Sequence, residues 1–335
     1  MKRGTPAVAA AAPSRRDIDE AVRLLEAGAL VGLPTETVYG LAADADNDAA
    51  VRAIYAAKGR PADHPVIVHL HHQADALRWA ARLPASAERL AAAFWPGPLT
   101  LVLPRREGVA QACAAGQDTI ALRSPAHAVA QAVLAQLHGG RGGLAAPSAN
   151  RFGRISPTRA EHVRSELGAA VSLVLDGGDC AVGIESTIVD CSGEHPRILR
   201  PGGLAAADLA EVLGLDPDAL RAPVPPNAPR VPGALASHYA PRTALHMRSA
   251  AAIDEAWPAR AGEVAVLARR AAPSGAPAHW LRLAAEPAQY AQGLYAALRA
   301  LDALGLREIW VEAVPQQPAW DAVRDRLRRA CAPRG

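Results

Sequence analysis

Short apolar runs that close on loop residues alternate with helical periodicities along most of this chain, and that alternation leaves few architectures open. Residues 29–33, 66–70, 99–103, 119–122, 144–146, 173–175 and 187–189 read as strands. Residues 17–27, 48–57, 84–94, 126–137 and 159–167 read as helices. Ile18, Ala21, Val22 and Leu25 share one face of the first helix, and Val51, Ile54 and Tyr55 share one face of the second. Ser14 is placed to cap the first helix and Gly28 to stop it. The order is mixed α/β and shows no repeat.

At residues 222–241 the pattern breaks: six prolines fall in a stretch with little apolar periodicity, which suits a linker or a functional lid. Beyond it, residues 264–268, 280–283 and 309–311 read as strands and 290–304 and 320–330 as amphipathic helices, a second and smaller α/β unit. That unit carries neither a Gly-x-Gly-x-x-Gly fingerprint nor a Walker-type loop. A length of 335 residues suits two domains. The expected divisions are a disordered tail at 1–13, a large domain at 14–218, a linker or lid at 219–242 and a small domain at 243–335.

No apolar run approaches the ~18 residues of a membrane span, and residues 1–13 lack the leucine-type core of a signal peptide. Cys113, Cys180, Cys191 and Cys331 are scattered without a Cys-x-x-Cys pair, which argues against zinc or a disulfide framework and suits a reducing cytoplasm. A formal net charge of +3 does not by itself mark a nucleic-acid binder; small anionic ligands fit it better. Among 36 basic residues only Lys2 and Lys58 are lysine, so Lys58 stands where a compact ammonium is wanted. Asn150 is likewise one of only three asparagines.

Several loops then carry chemistry. Residues 34–40, Pro-Thr-Glu-Thr-Val-Tyr-Gly, follow a strand directly and offer hydroxyls to a ligand, or close a turn among themselves. Lys58-Gly59-Arg60-Pro61 ends a helix with two cations beside a glycine, suited to a polyphosphate or to a solvated turn. Ser148 and Asn150 follow a short strand, and Ser156 stands before a helix that it could cap or extend towards a phosphate. Arg123 and Arg200 each end a strand, where they could meet in one crevice or serve structural carboxylates.

Taken together, residues 33–41 (LPTETVYGL), 58–61 (KGRP), 95–100 (WPGPLT), 119–123 (TIALR), 147–150 (PSAN), 156–158 (SPT), 183–187 (GIEST) and 200–202 (RPG) resemble the L-threonylcarbamoyladenylate synthases. The match runs in the family's order over about residues 17–215, and His238-Tyr239-Ala240-Pro241 before a small domain resembles its long form. Residues 234–237 are small where that form usually carries basic or aromatic residues, which leaves the linker's own part in phosphate binding open. Related hydrogenase-maturation proteins carry zinc-finger cysteines that this chain lacks.

The resemblance implies a YrdC-like twisted open sheet with helices, followed by a smaller Rossmann-like α/β domain. It implies a nucleotidyltransferase that converts ATP, L-threonine and bicarbonate to threonylcarbamoyl-AMP and pyrophosphate, for threonylcarbamoyladenosine in tRNA. Carried over, Thr35 and His69 hold threonine, and Arg123 and Ser186 meet its carboxylate. Lys58, Arg60, Thr119, Ser148, Asn150, Ser156 and Arg200 surround the nucleotide, Lys58 and Arg60 acting catalytically, and Tyr239 closes over the adenylate. Such chemistry needs no Ser/His/Asp relay, because the carbamate is already an anionic nucleophile. Mg2+ is expected mainly on the ATP phosphates, with no metal ligand assigned to the protein, Asp176 and Glu185 included. A downstream threonylcarbamoyl transferase complex is the expected recipient; direct tRNA contact is not required, and no membrane is involved. The alternative is a non-enzymatic RNA-binding module, which the lack of a basic cluster interleaved with aromatics disfavours. Lys58→Ala is expected to cut turnover far more than stability.

Overall fold

The computed structural model describes residues 12–275 and 279–333. Residues 1–11 of the expected tail lie outside the described residues. The large domain is built on β1 (Val31–Leu33), β2 (Gly40–Asp44), β3 (Val68–His69), β4 (Leu99–Pro104) and β5 (Thr119–Arg123), then β6 (Leu144–Ala145), β7 (Leu173–Val174), β8 (Thr187–Asp190) and β9 (Arg197–Arg200). These join in one mixed sheet of order β7-β1-β2-β6-β3-β5-β4-β8-β9. The expected α/β class and strand positions hold. Sequence reading missed β2, whose Gly40-Leu41-Ala42-Ala43-Asp44 is alanine-rich and returns antiparallel from β1.

Period-two alternation separates the two faces of the central strands. Val68, Leu101, Leu103, Ile120, Leu122 and Val189 point into the main core, with helices Asp48–Lys58 and Ala85–Phe94 contributing Val51, Ile54 and Leu90. The opposite face carries Ile67, Val102, Ala121 and Ile188, an apolar platform on which the linker residue Val231 sits. The linker therefore lies across one part of this face, while helices Arg15–Glu26 and Ala128–Gln136 cover its other part over β1, β2 and β6.

Helix Asp48–Lys58 begins at an Asn47 cap that accepts from Ala49 and Ala50 N–H and ends at Gly59, whose φ of 59° gives the left-handed turn that redirects the chain into Arg60. Helix Ala206–Leu213 adds Leu209, Ala210 and Leu213 to the main core.

The smaller domain has β10 (Ala244–Arg248), β11 (Val264–Ala268), β12 (Trp280–Arg282) and β13 (Glu308–Glu312), all parallel in the order β10-β13-β11-β12. Parallel neighbours need crossovers. Helices Ala250–Ala256 and Pro287–Asp302 supply two of them, which gives the Rossmann-like arrangement. Tyr290, Leu294, Tyr295 and Leu298 pack with Val38, Ile155, Ile184 and Tyr239, so the two domains and the linker share one apolar cluster.

Candidate active site

The sheet brings its chemistry to one end. His69 and Arg123 end the parallel neighbours β3 and β5 in direct register, and Arg200 ends β9 opposite Ile188. Ser186 immediately precedes β8, where its hydroxyl is 2.7 Å from that of Thr100 and its carbonyl accepts from Arg200 Nη2 at 2.8 Å. Arg123 is held by three partners: Gly97 O at 3.1 Å, the Thr37 hydroxyl at 2.8 Å and the Glu36 carboxylate at 2.7 Å. Arg60 reaches the same space from the Gly59 turn, donating to Pro65 O at 2.7 Å.

Over this end lies the linker. Arg200 Nη1 donates to Pro232 O at 2.9 Å, and Ala240 N–H donates to Gly153 O at 2.9 Å, fixing the segment at both sides of its His-Tyr pair. Tyr239 adopts a φ of 61°, a left-handed conformation that costs a bulky residue of order 1–2 kcal/mol and that packing here enforces. Its ring is buried, edge-on to His238 at 4.2 Å and stacked with Tyr295 at 5.8 Å. What remains is a cavity of about 50 Å3, lined by Arg60, His69, Arg123, Ser186, Arg200 and Tyr239 among others. Small-molecule sites usually enclose roughly 300–1,000 Å3, so with the linker closed in this position the space is too small for an ordinary ligand.

Several buried polar atoms around it have no hydrogen-bond partner: His69 Nδ1, Asn150 Oδ1, Arg200 Nε, His238 Nδ1 and Tyr239 Oη. Buried polar groups are normally satisfied, and such a concentration marks a surface built for a polar ligand. Burial, then Arg123, pulls His69 down to about 3; burial pulls His238 to about 3 as well, with Arg60, Lys58 and Arg200 contributing. Both imidazoles are therefore neutral in the closed protein. Burial also lowers Arg60, to about 10. Three arginines facing one cleft, with both nearby carboxylates already ion-paired, make the site attractive to anions.

A family model described as "Telomere recombination" (Sua5_yciO_yrdC) matches residues 23–202, and one described as "Threonylcarbamoyl-AMP synthase, C-terminal domain" matches residues 204–332. The threonylcarbamoyl-AMP synthase of Pyrococcus abyssi is 35% identical, with 92% of each chain covered. That of Bacillus subtilis is 36% identical, with 95% of this chain and 93% of its own covered. The crystal structure of P. abyssi Sua5 complexed with L-threonine superposes with a TM-score of 0.83 at 36% identity, covering 94% of both chains. This chain belongs to the threonylcarbamoyl-AMP synthase family.

The residues assigned through that resemblance divide into two sets. Arg60, His69, Arg123, Ser148, Ser186, Arg200 and Tyr239 line the cavity together. Thr35, Lys58, Thr119, Asn150 and Ser156 do not line the closed cavity. The Thr35 hydroxyl donates to Val38 O at 2.6 Å and closes its own loop, so that Thr37, which sequence reading did not single out, faces the cavity instead. Lys58 is buried with its ammonium on the carbonyls of Ser148 and Asn150, which it pins in place. Asn150 Nδ2 donates to Arg151 O and Arg154 O. The Ser156 hydroxyl donates a hydrogen bond to Glu185 at 2.6 Å and does not cap helix Ala160–Leu167, whose cap position is Arg159. Thr119 shares the platform face with Ala121 and Arg123, roughly 13 Å from Arg123 along β5.

Sequence reading also left out Glu185 and His238 as site residues, and both line the cavity. Glu185 had a legible signal, a carboxylate inside the Gly183-Ile184-Glu185-Ser186-Thr187 motif. Its partner from the other domain had none in that motif. Elsewhere, Asp44, Asp46 and His138 place ligand atoms within 4.8 Å of one another, but Arg78 grips Asp46 at two points and His138 occupies Asp44.

Proposed function

We propose that this protein is an L-threonylcarbamoyladenylate synthase that works by clamping its reactants between a cationic sheet end and a movable linker. Threonine and bicarbonate give N-carboxythreonine with loss of water. A carbamate oxygen then attacks the α-phosphorus of ATP, the bond to the bridging oxygen of the β-phosphate breaks, and pyrophosphate leaves. The observation that carries the reading is the convergence of Arg60, Arg123 and Arg200 with unpartnered polar atoms beneath Tyr239, in a chain of this family. The P. abyssi relative solved with L-threonine supports the amino-acid half of that assignment.

Arg123, Ser186, His69 and the loop shaped by Thr35 hold threonine, the neutral imidazole accepting a hydrogen bond from the substrate or donating one to it. The adenine lies on the platform of Ile67, Val102, Ala121 and Ile188, in the space that Val231 fills in the closed form, with Thr119 at its far edge. Arg60, Arg200 and Ser148 meet the phosphates, backed by Lys58, Asn150 and Ser156. An anion arriving beside Lys58 favours its charged state, which burial and Arg60 now oppose. Catalysis is then alignment and charge neutralisation on the departing pyrophosphate.

The residues present do not make a carboxylate cage: of the cavity's neighbours, Glu36 is paired with Arg123 and Glu185 with Arg326. Mg2+ accordingly enters on the ATP phosphates. The product is a hydrolysable mixed anhydride, which the closed linker shields and a downstream threonylcarbamoyl transferase consumes. No described helix is long and apolar enough to cross a membrane. The cytoplasm is the compartment that would keep its four free cysteines reduced. Pyrophosphate release by purified protein, with ATP, threonine or bicarbonate omitted in turn, tests the reading. Release is expected to need all three; release independent of threonine would sink it.

A further inference from the structure

Glu185, on the wall of the cavity, is where the small domain touches the chemistry. Its carboxylate accepts from Ser156 Oγ at 2.6 Å, Tyr295 Oη at 3.0 Å and Arg326 Nε at 2.7 Å. Two of those three donors belong to the small domain. Arg326 is 1% exposed, on helix Asp321–Cys331, and its guanidinium stands 5.0 Å from the centroid of the Tyr239 ring, on which Tyr295 also stacks. Its Nη1 donates to Asp325 Oδ2 at 2.9 Å. Asp325 in turn holds Arg329 Nε at 3.0 Å, and Arg329 Nη1 donates to the linker carbonyls of Ala234, at 2.7 Å, and Leu235. The buried face of one helix thus grips the cavity wall, the capping tyrosine and the linker backbone at once.

A buried ion pair is a poor device for stability alone, because desolvating two charges offsets most of their attraction. This one is spent on two residues that line the cavity. We propose that Arg326 is a positioning residue of the reaction: through Glu185 and Tyr239 it seats the linker over the bound nucleotide and keeps water from the mixed anhydride. The proposal rests on the synthase reading. ATP cannot enter a cavity of about 50 Å3, so Tyr239 must leave and return in each turnover. Arg326 and Glu185 stay behind as the surface to which it returns. The arginine's planar fork matters here, because it meets the carboxylate and lies on the ring together, which an ammonium cannot do.

The test compares wild type with Arg326→Gln, Arg326→Lys and the double variant Glu185→Gln/Arg326→Gln, each checked for folding by thermal melting. Two readouts are used: threonylcarbamoyl-AMP recovered per pyrophosphate released, and the rate of trypsin cleavage after linker Arg230 without substrates. Arg326→Gln is expected to lower product recovery at least severalfold and to speed linker cleavage about tenfold, Arg326→Lys not to rescue either, and the double variant to be no worse than the single. A folded Arg326→Gln protein with wild-type recovery and wild-type trypsin resistance would overturn the proposal. Should Arg326→Gln fail to fold because Glu185 is stranded as a lone buried charge, the double variant removes both charges and is read by the same two criteria. Wild type that releases no threonine-dependent pyrophosphate would defeat the synthase reading, and linker cleavage would then decide the seating role by itself.

Discussion

Lys58 illustrates how far a residue can be read before its surroundings are known. Its rarity as a lysine made it conspicuous, and its place at the end of helix Asp48–Lys58 was legible from the Lys-Gly-Arg-Pro motif. Its partners were not, because they are carbonyls of a loop 90 and 92 residues further on. The ammonium has three donors, two of them now spent on Ser148 and Asn150. The expectation that Lys58→Ala spares stability therefore needs revising. The substitution strands two carbonyls, a cost of roughly 1–3 kcal/mol for each that stays unsatisfied, and loosens the Ser148–Asn150 loop. Lys58→Ala is expected to melt several degrees below wild type and to lose about a hundredfold in kcat/KM for ATP. A melting curve beside pyrophosphate kinetics checks both; an unchanged Tm would retire the loop-pinning role. Thr35 teaches the same lesson: its hydroxyl was legible, but the choice between ligand and turn was settled by Val38 O.

The strands were the most legible elements, since β4 and β5 bury both faces and read as largely apolar runs, with Thr100 alone interrupting Leu99–Leu103. The linker was legible only as a break, because prolines declare where regular structure stops and not where the chain then lies. Its position makes Gly233 a sharp probe. The residue has a φ of 76°, and a Cβ there would come within 2.0 Å of Tyr239 Oη. Gly233→Ala should therefore disfavour the closed linker while leaving both cores intact. In the free protein the closed linker competes with ATP for one space, and apparent affinity scales with the open fraction. KM for ATP is expected to fall in Gly233→Ala, and kcat to fall about tenfold because the lid no longer seats. Steady-state kinetics distinguish this from simple damage, which would raise KM; an unchanged KM would mean that closure does not oppose nucleotide entry.

At the scale of the molecule, two α/β units and a proline-rich join could be read from the chain, but not the contact between them. Arg326 lies among Arg324, Arg328 and Arg329, a run that reads as a solvated face. Its signal was positional: Val323, Arg326, Leu327 and Ala330 fall at helical spacing, so one arginine sits inside the apolar stripe. The charges gathered at this junction also set how the folded protein responds to acid. His69 and His238 titrate near 3 when folded and near 6.5 when unfolded, so below pH 6.5 the unfolded chain takes up protons that the native one refuses. Stability is complete above that value and declines as pH falls towards 3, by at most about 1.4 kcal/mol per pH unit for each histidine. Burial alone would raise the Glu185 carboxyl, but Arg326, Arg200 and the hydrogen bonds from Ser156 and Arg326 draw it down to about 2. Its contribution is present above the ordinary carboxyl value of 4.5 and disappears between 4.5 and about 2. Urea midpoints should therefore drop between pH 7 and pH 5 through the histidines, then more steeply below 4.5 as Glu185 joins them. His69→Gln should lessen the slope of the first limb, leaving the share that His238 carries, and leave the second; a first limb unchanged by that substitution would mean that His69 is protonated in the folded protein.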